Sequence, residues 1–271
     1  MRTCMENFSL ESRVKTLIAI PVHNERQHVT RVLARVRKLH RDLLVIDDAS
    51  TDGTDGVLSK LSECGYIQLL RHPTNEGYGQ SLIDAFTFAD KHGYDWIITM
   101  DCDEQHEPKM IPEFLRQIEM DDADLISGSR YLEPRANDDA PPGDRRRINQ
   151  IITHLINDRL GLGLTDAFCG FKAARVSSMQ KLNLTVAGYA FPMQLWPRAA
   201  AEGLRIREIP VRLIYNDPNR HFGGKLDDPE HRLNHYLSVF EDEMARLTIE
   251  TPAVAEPAAV EPCATPCCCE G

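Results

Sequence analysis

No apolar run in this chain approaches the ~20 residues that a membrane-spanning helix requires, and no basic-then-apolar leader opens it. Basic charge is also short. Lysine and arginine number 31 against 41 acidic residues, which leaves a formal net charge of −10. A general affinity for nucleic acid needs a basic face, so the deficit argues against that class of partner. Hydrophobic residues at 42% and charged residues at 27% argue against disorder and fibrous structure. The expectation is a globular cytoplasmic protein with at most a peripheral place at a membrane. At 271 residues the chain has ample core for one large α/β domain or two small ones.

Cysteine is sparse through most of the sequence. Cys4, Cys64, Cys102 and Cys169 are scattered, as expected for reduced thiols. Cys263, Cys267, Cys268 and Cys269 crowd a tail rich in Pro, Ala and Glu that cannot bury a core. The division expected is an N-terminal extension over 1–13, one domain over 14–247 and a disordered tail over 248–271. The tail thiols could bind a soft metal or accept an acyl chain; the plainer reading is a solvated appendage.

Apolar strands alternate with amphipathic helices over the first two-thirds. Strands are expected at 16–22, 42–46, 66–70, 95–100 and 124–127, with helices at about 26–38, 54–64, 80–92 and 108–120 between them. Such alternation implies a mostly parallel sheet covered on both faces, with right-handed crossovers placing the strands' carboxyl ends on one edge. Further along come a polar loop at 134–144, a helix opened by Arg145-Arg146-Arg147, and a loop at 165–172 containing Asp166. After these are expected a helix following Pro192, a strand at 206–214, a flexible flap at 216–225 and a closing helix at 229–247.

Ligands of such sheets collect at the carboxyl edge, near the point where strand order reverses. Three polar clusters fall there: Pro21-Val22-His23-Asn24-Glu25, Asp47-Asp48 and Asp101-Cys102-Asp103-Glu104-Gln105-His106. The last follows the apolar run Trp96-Ile97-Ile98-Thr99-Met100, so two carboxylates one residue apart ride on a rigid strand end. Hard oxygen ligands on such a support suit Mg²⁺ or Mn²⁺ gripping a diphosphate. An ion held there neutralises charge on a departing nucleotide diphosphate.

Together with Val45 to Thr54, Ser127-Gly128-Ser129-Arg130-Tyr131, Asp166 to Lys172, Gly188-Tyr189-Ala190-Phe191 and Ile209-Pro210-Val211, these segments resemble the family 2 glycosyltransferases of the GT-A fold. The likeness is greatest to the dolichyl- or polyprenyl-phosphate mannose synthase branch, and it covers about residues 16–225. It implies an α/β GT-A fold and a donor of the GDP-mannose or UDP-glucose type. It places Pro21, His23, Glu25 and Asp48 at the nucleotide, and Asp101, Asp103 and Gln105 at the metal. Arg130 and Arg145 become ligands of the acceptor phosphate, and Arg220 and Lys225 belong to a flap over the leaving diphosphate. Arginine suits the acceptor role because its planar fork grips phosphate in two-pronged fashion. The chain departs from the family pattern in having Gln194 where glutamate is frequent, and in a flap one residue shorter.

The reaction implied is inverting displacement at the anomeric carbon. A phosphate monoester, with a second pKa of about 6, is largely dianionic at neutral pH and needs no general base. A hydroxyl acceptor would need a carboxylate, and Asp166 has no adjacent acidic partner. This favours a polyprenyl phosphate, reached by way of a membrane partner protein or an acylated tail. Two alternatives stay open: transfer to a soluble sugar or protein hydroxyl with Asp166 as base, and a sugar-nucleotide-binding protein without turnover.

Overall fold

The computed structural model describes residues 14–216 and 221–250. The tail cysteines, the N-terminal extension and Arg220 lie outside those residues.

Seven strands form a single sheet: β1 (Thr16–Val22), β2 (Leu43–Asp47), β3 (Gln68–Arg71), β4 (Trp96–Thr99), β5 (Leu125–Ser129), β6 (Lys172–Arg175) and β7 (Ile206–Pro210). Their spatial order is β3-β2-β1-β4-β6-β5-β7. Every neighbouring pair is parallel except those made by β6, which runs antiparallel to both β4 and β5.

Strand β1 shows how the sequence specifies two covered faces. Ile18, Ile20 and Val22 join one core cluster, while Leu17 and Ala19, pointing the other way, join the second. On the first face pack α1 (Val29–Arg37), α2 (Thr54–Glu63) and α4 (Ile111–Glu119). Helix α1 places Val29, Val32, Leu33 and Val36 on one stripe, and all four are buried. The opposite face carries α3 (Tyr78–Lys91), α5 (Gly143–Leu160), α6 (Val176–Lys181), α7 (Phe191–Ala201) and α8 (Pro229–Glu250).

The expected strands fall where hydrophobic patterning put them, within a few residues at each end. Strand β6 lay at the end of what read as loop. Lys172-Ala173-Ala174-Arg175 has no β-branched residue and no alternation. It pairs because β4 and β5 flank it, with Ala173 and Ala174 buried in opposite core clusters. Strand β7 stops at Pro210 rather than reaching Ile214. Proline offers no N–H to a ladder and is tolerated on an edge strand such as this one.

Strand order reverses between β2-β1 and β4. There the ends of β1, β2 and β4 open together, and β5 runs in the same sense. Because β6 is antiparallel, its beginning lies at that same edge, and the loop ahead of it arrives beside Asp101.

Candidate active site

Asp101 leaves β4 just after the buried Met100 and is fixed from several sides. Its Oδ1 accepts the Tyr78 hydroxyl at 3.0 Å, and its backbone N–H donates to His106 Nδ1 at 2.9 Å. The same imidazole turns Nε2 toward Asp101 Oδ2 at 3.7 Å and stacks on Phe171. Asp103 is buried, and its Oδ1 accepts the Gln105 N–H at 2.9 Å. Its carbonyl receives Asn216 Nδ2 at 3.1 Å, tying the base of the flap to this loop.

The donor set fits a hard divalent cation: two carboxylates and an amide within five residues, with histidine engaged behind them rather than among them. Gln105 Nε2 is buried without a hydrogen-bond partner, so a half-turn of the amide would present its oxygen there. Space around the carboxylate is protected as well. A Cβ on Gly170 would lie 2.9 and 3.0 Å from the Asp101 carboxylate oxygens and 2.6 Å from the Tyr78 hydroxyl.

Along the edge, Pro21 pairs with Ile46 in the β1–β2 ladder, and the exposed His23 follows two residues later. His23 Nδ1 lies 2.6 Å from the Asp48 carbonyl, which orients the ring. Glu25 is buried, and its carbonyl accepts the N–H groups of His28 and Val29 at the start of α1. Asp48 is turned inward. Its carboxylate accepts the N–H groups of Glu76 and Gly77 at 2.7 and 2.9 Å and faces His72 Nδ1 at 2.8 Å. Its direct work is therefore to shape the turn before α3.

Arg130, at the end of β5, grips Asp166 through Nε and Nη2 at 2.6 and 2.9 Å. Asp166 is completely buried and also accepts Asn149 Nδ2 at 2.7 Å. Burial alone would raise this carboxyl, but the Arg130 charge and the hydrogen bonds outweigh it and hold it at about 2. Such a carboxylate is a poor proton acceptor at neutral pH.

Arg145, in the first turn of α5, stacks over Tyr215 and Phe222, its guanidinium carbon 5.4 and 4.6 Å from the ring centroids. Phe222 meets Tyr189 edge-on at 5.3 Å, and Tyr189 stacks on Tyr78 at 5.9 Å. A continuous aromatic wall thus runs from Asp101 to Arg145. Lys225 is exposed in a short 3₁₀ turn after Phe222. The turn is pinned by buried Arg232, which donates to the Leu226 carbonyl and to Asp144 Oδ2.

A second group of ligand-type side chains, His72, Glu76 and Asp84, lies nearby. His72 directs Nδ1 at Asp48 and Nε2 at Asp84 Oδ2, 3.0 Å away. Burial lowers its affinity for a proton, yet these carboxylates and Glu76 reverse the effect and raise its pKa. Both ring nitrogens are directed at carboxylate oxygens, which leaves neither aimed at a cation. This group is read as an ionic brace.

The sequence-predicted residues at the ends of β1, β2, β4 and β5 converge on one edge. The aromatic wall of Tyr78, Tyr189, Phe222 and Tyr215 was not anticipated, nor were the Asp48–His72–Asp84 brace and the inward use of Arg130. Their members stand far apart in the chain; the local signs were Tyr189, inside the segment Gly188-Tyr189-Ala190-Phe191 that resembles the family, and Tyr78 in the glycine-flanked stretch Gly77-Tyr78-Gly79.

A sheet of this order with acidic residues at its switch point defines the GT-A architecture of glycosyltransferases. Residues 17–182 match the Glycosyl transferase family 2 model, and the chain belongs to that family. It is 32% identical over 207 residues to the undecaprenyl-phosphate mannosyltransferase of Micrococcus luteus, covering 74% of this chain and 84% of the relative. Identity to the polyprenol monophosphomannose synthase of Mycolicibacterium smegmatis is 28% over 206 residues, covering 73% and 76%. Among solved structures, glucosyl-3-phosphoglycerate synthase from Mycobacterium tuberculosis, in complex with Mn²⁺, UDP-glucose and phosphoglyceric acid, superposes with a TM-score of 0.61. At 16% identity, over 86% of this chain and 80% of that one, this likeness concerns the fold.

Proposed function

We propose that this glycosyltransferase moves a hexose, mannose being the first choice, from a nucleotide-diphospho-sugar to a polyprenyl phosphate with inversion at the anomeric carbon. The names of the two relatives in the preceding comparison support the acceptor and the sugar. The observation that carries the reading from this chain itself is the state of Asp166. The carboxylate beside Arg130 is buried, paired and strongly acidic, which makes it ill suited to deprotonate a hydroxyl. A phosphate acceptor arrives with its own anionic oxygen and asks only for positioning.

In this reading Asp101, Asp103 and Gln105 hold Mg²⁺ or Mn²⁺, which when bound neutralises charge on the diphosphate. Pro21, His23 and Glu25 border the nucleotide, and Asp48 shapes the turn beside it. Arg145, with its face spread on Tyr215 and Phe222, and the Arg130–Asp166 pair line the acceptor side. Lys225 and Arg220 serve the flap. No helix among the described residues is long and apolar enough to cross a membrane; a membrane partner or an acylated tail would bring the enzyme to a lipid acceptor.

The test is an acceptor and donor panel. Purified protein is incubated with GDP-mannose or UDP-glucose, with Mg²⁺ or Mn²⁺, against polyprenyl phosphate, free sugars and hydroxyl-bearing peptides. Transfer to the lipid phosphate alone is expected. Transfer to hydroxyl acceptors with none to the lipid would overturn the proposal, and absence of both transfer and donor hydrolysis would favour a binding protein.

A further inference from the structure

Glu104 stands between two of the residues assigned to the cation, Asp103 and Gln105, in a backbone conformation that side chains avoid. Its φ is +63°, in the left-handed region that is strained for any residue with a side chain. Glycine would take the position without strain, so another influence keeps glutamate there. Its carboxylate does not join the neighbouring acids. It reaches across to α1, where Oε1 pairs with Arg31 Nε at 2.9 Å and Oε2 with His28 Nδ1 at 3.2 Å. Arg35, one helical turn beyond Arg31, adds a weaker approach at 3.7 Å. The Glu104 side chain is 17% exposed, so these pairs are better sheltered than ordinary surface ion pairs. Helix α1 carries no acidic residue in its own first turn; Glu104 brings one to it from a distant part of the chain.

The placement has two effects on the loop. It removes one of three acids within four residues from the vicinity of Asp101 and Asp103, where a further charge would oppose an incoming diphosphate. It also fixes the reversal between Asp103 and Gln105, already closed by the Gln105 N–H on Asp103 Oδ1. Partners that orient a ligand-bearing loop influence cation affinity without touching the cation, and their loss typically costs 10–100-fold.

We infer that Arg31 and His28 are positioning residues for the cation loop: by clamping Glu104 outward they set the loop's shape and its affinity for a divalent ion with a nucleoside diphosphate. The cation half of this statement rests on the function proposed above; the loop half does not.

Two measurements on the full chain separate them. Amide hydrogen exchange at residues 103–106, without metal, is compared in the wild type, Arg31→Met, Glu104→Gln and Glu104→Gly. Faster exchange is expected in the first two variants, and in Arg31→Met circular dichroism and melting stay unchanged because Arg31 is 59% exposed. Mn²⁺ binding in the presence of GDP or UDP is then read from the paramagnetic resonance of the free ion. Roughly tenfold weaker binding is expected for Arg31→Met and Glu104→Gln. Glu104→Gly, free of the left-handed strain, should bind better than Glu104→Ala. Unchanged exchange in both Arg31→Met and Glu104→Gln overturns the clamp whatever the ion does. Faster exchange with unchanged Mn²⁺ affinity overturns its link to the cation. Failure of the wild type to bind Mn²⁺ removes the proposed metal role instead, leaving the exchange result to decide the clamp.

Discussion

Replacing Gly170 by alanine adds one methyl group directly against the Asp101 carboxylate and the Tyr78 hydroxyl. Ordinary contact begins at 3.4 Å, and the new carbon would lie 2.6 Å from Tyr78 Oη and 2.9 and 3.0 Å from the two Asp101 oxygens. Tyr78 Oη must therefore retreat by about 0.8 Å, and the Asp101 carboxylate by about 0.4–0.5 Å. A cation site tolerates ligand displacements of about 0.2 Å, so the carboxylate shift alone exceeds that margin. Overpacking should cost stability by ~1–3 kcal/mol. The expected loss of Mn²⁺ affinity, measured with GDP or UDP present, is roughly 10–100-fold. Adding Tyr78→Phe removes the 2.6 Å conflict but not the other two. The double variant should regain melting temperature without regaining the ion. Wild-type Mn²⁺ affinity in G170A would refute the placement of the cation at Asp101.

Gln194→Glu should destabilise the protein by about 3–5 kcal/mol in urea unfolding, because it sets a carboxylate against buried Glu243, to which the amide now donates at 3.0 Å; adding Glu243→Gln should restore most of the loss. Arg130→Met leaves Asp166 buried and unpaired, so a loss of about 3–5 kcal/mol is expected, and equal stability by the same measurement would count against that pair. The His72 brace makes stability depend on pH. Its folded pKa lies above the ordinary 6.5, so the contribution is complete below that value and is lost as pH rises through the raised one. Melting temperatures from about pH 6 to about pH 9 should fall less steeply in His72→Gln than in the wild type.

Much of the sheet was legible because burial on two faces leaves continuous apolar runs, as in Thr16–Val22 and Trp96–Thr99. The acidic edge was legible for a related reason: parallel strands deliver their ends to one side, so Asp48 and Asp101 could be placed together before any contact was known. What stayed hidden depends on partners remote in sequence. The four residues of β6 form a strand only between two others. Glutamine at position 194 looked like a lost charge. Its amide in fact accepts the N–H groups of Thr185 and Val186 at 2.7 and 2.9 Å while donating to Glu243, a combination an ionised carboxylate does not offer.

The reversed strand has a consequence for how this enzyme could change over time. The polypeptide leaves the sheet after Ser129 and re-enters at Lys172, both at the same rim, so residues 130–171 form one continuous excursion between two paired strands. Length changes in its exposed stretch 132–137 shift no strand register, whereas its last residues, Gly170 and Phe171, pack on Asp101 and His106 and are fixed by them. On the proposed reading that stretch borders the acceptor side, so its remodelling changes what is accepted while the ends of β1 and β4 are inherited unchanged.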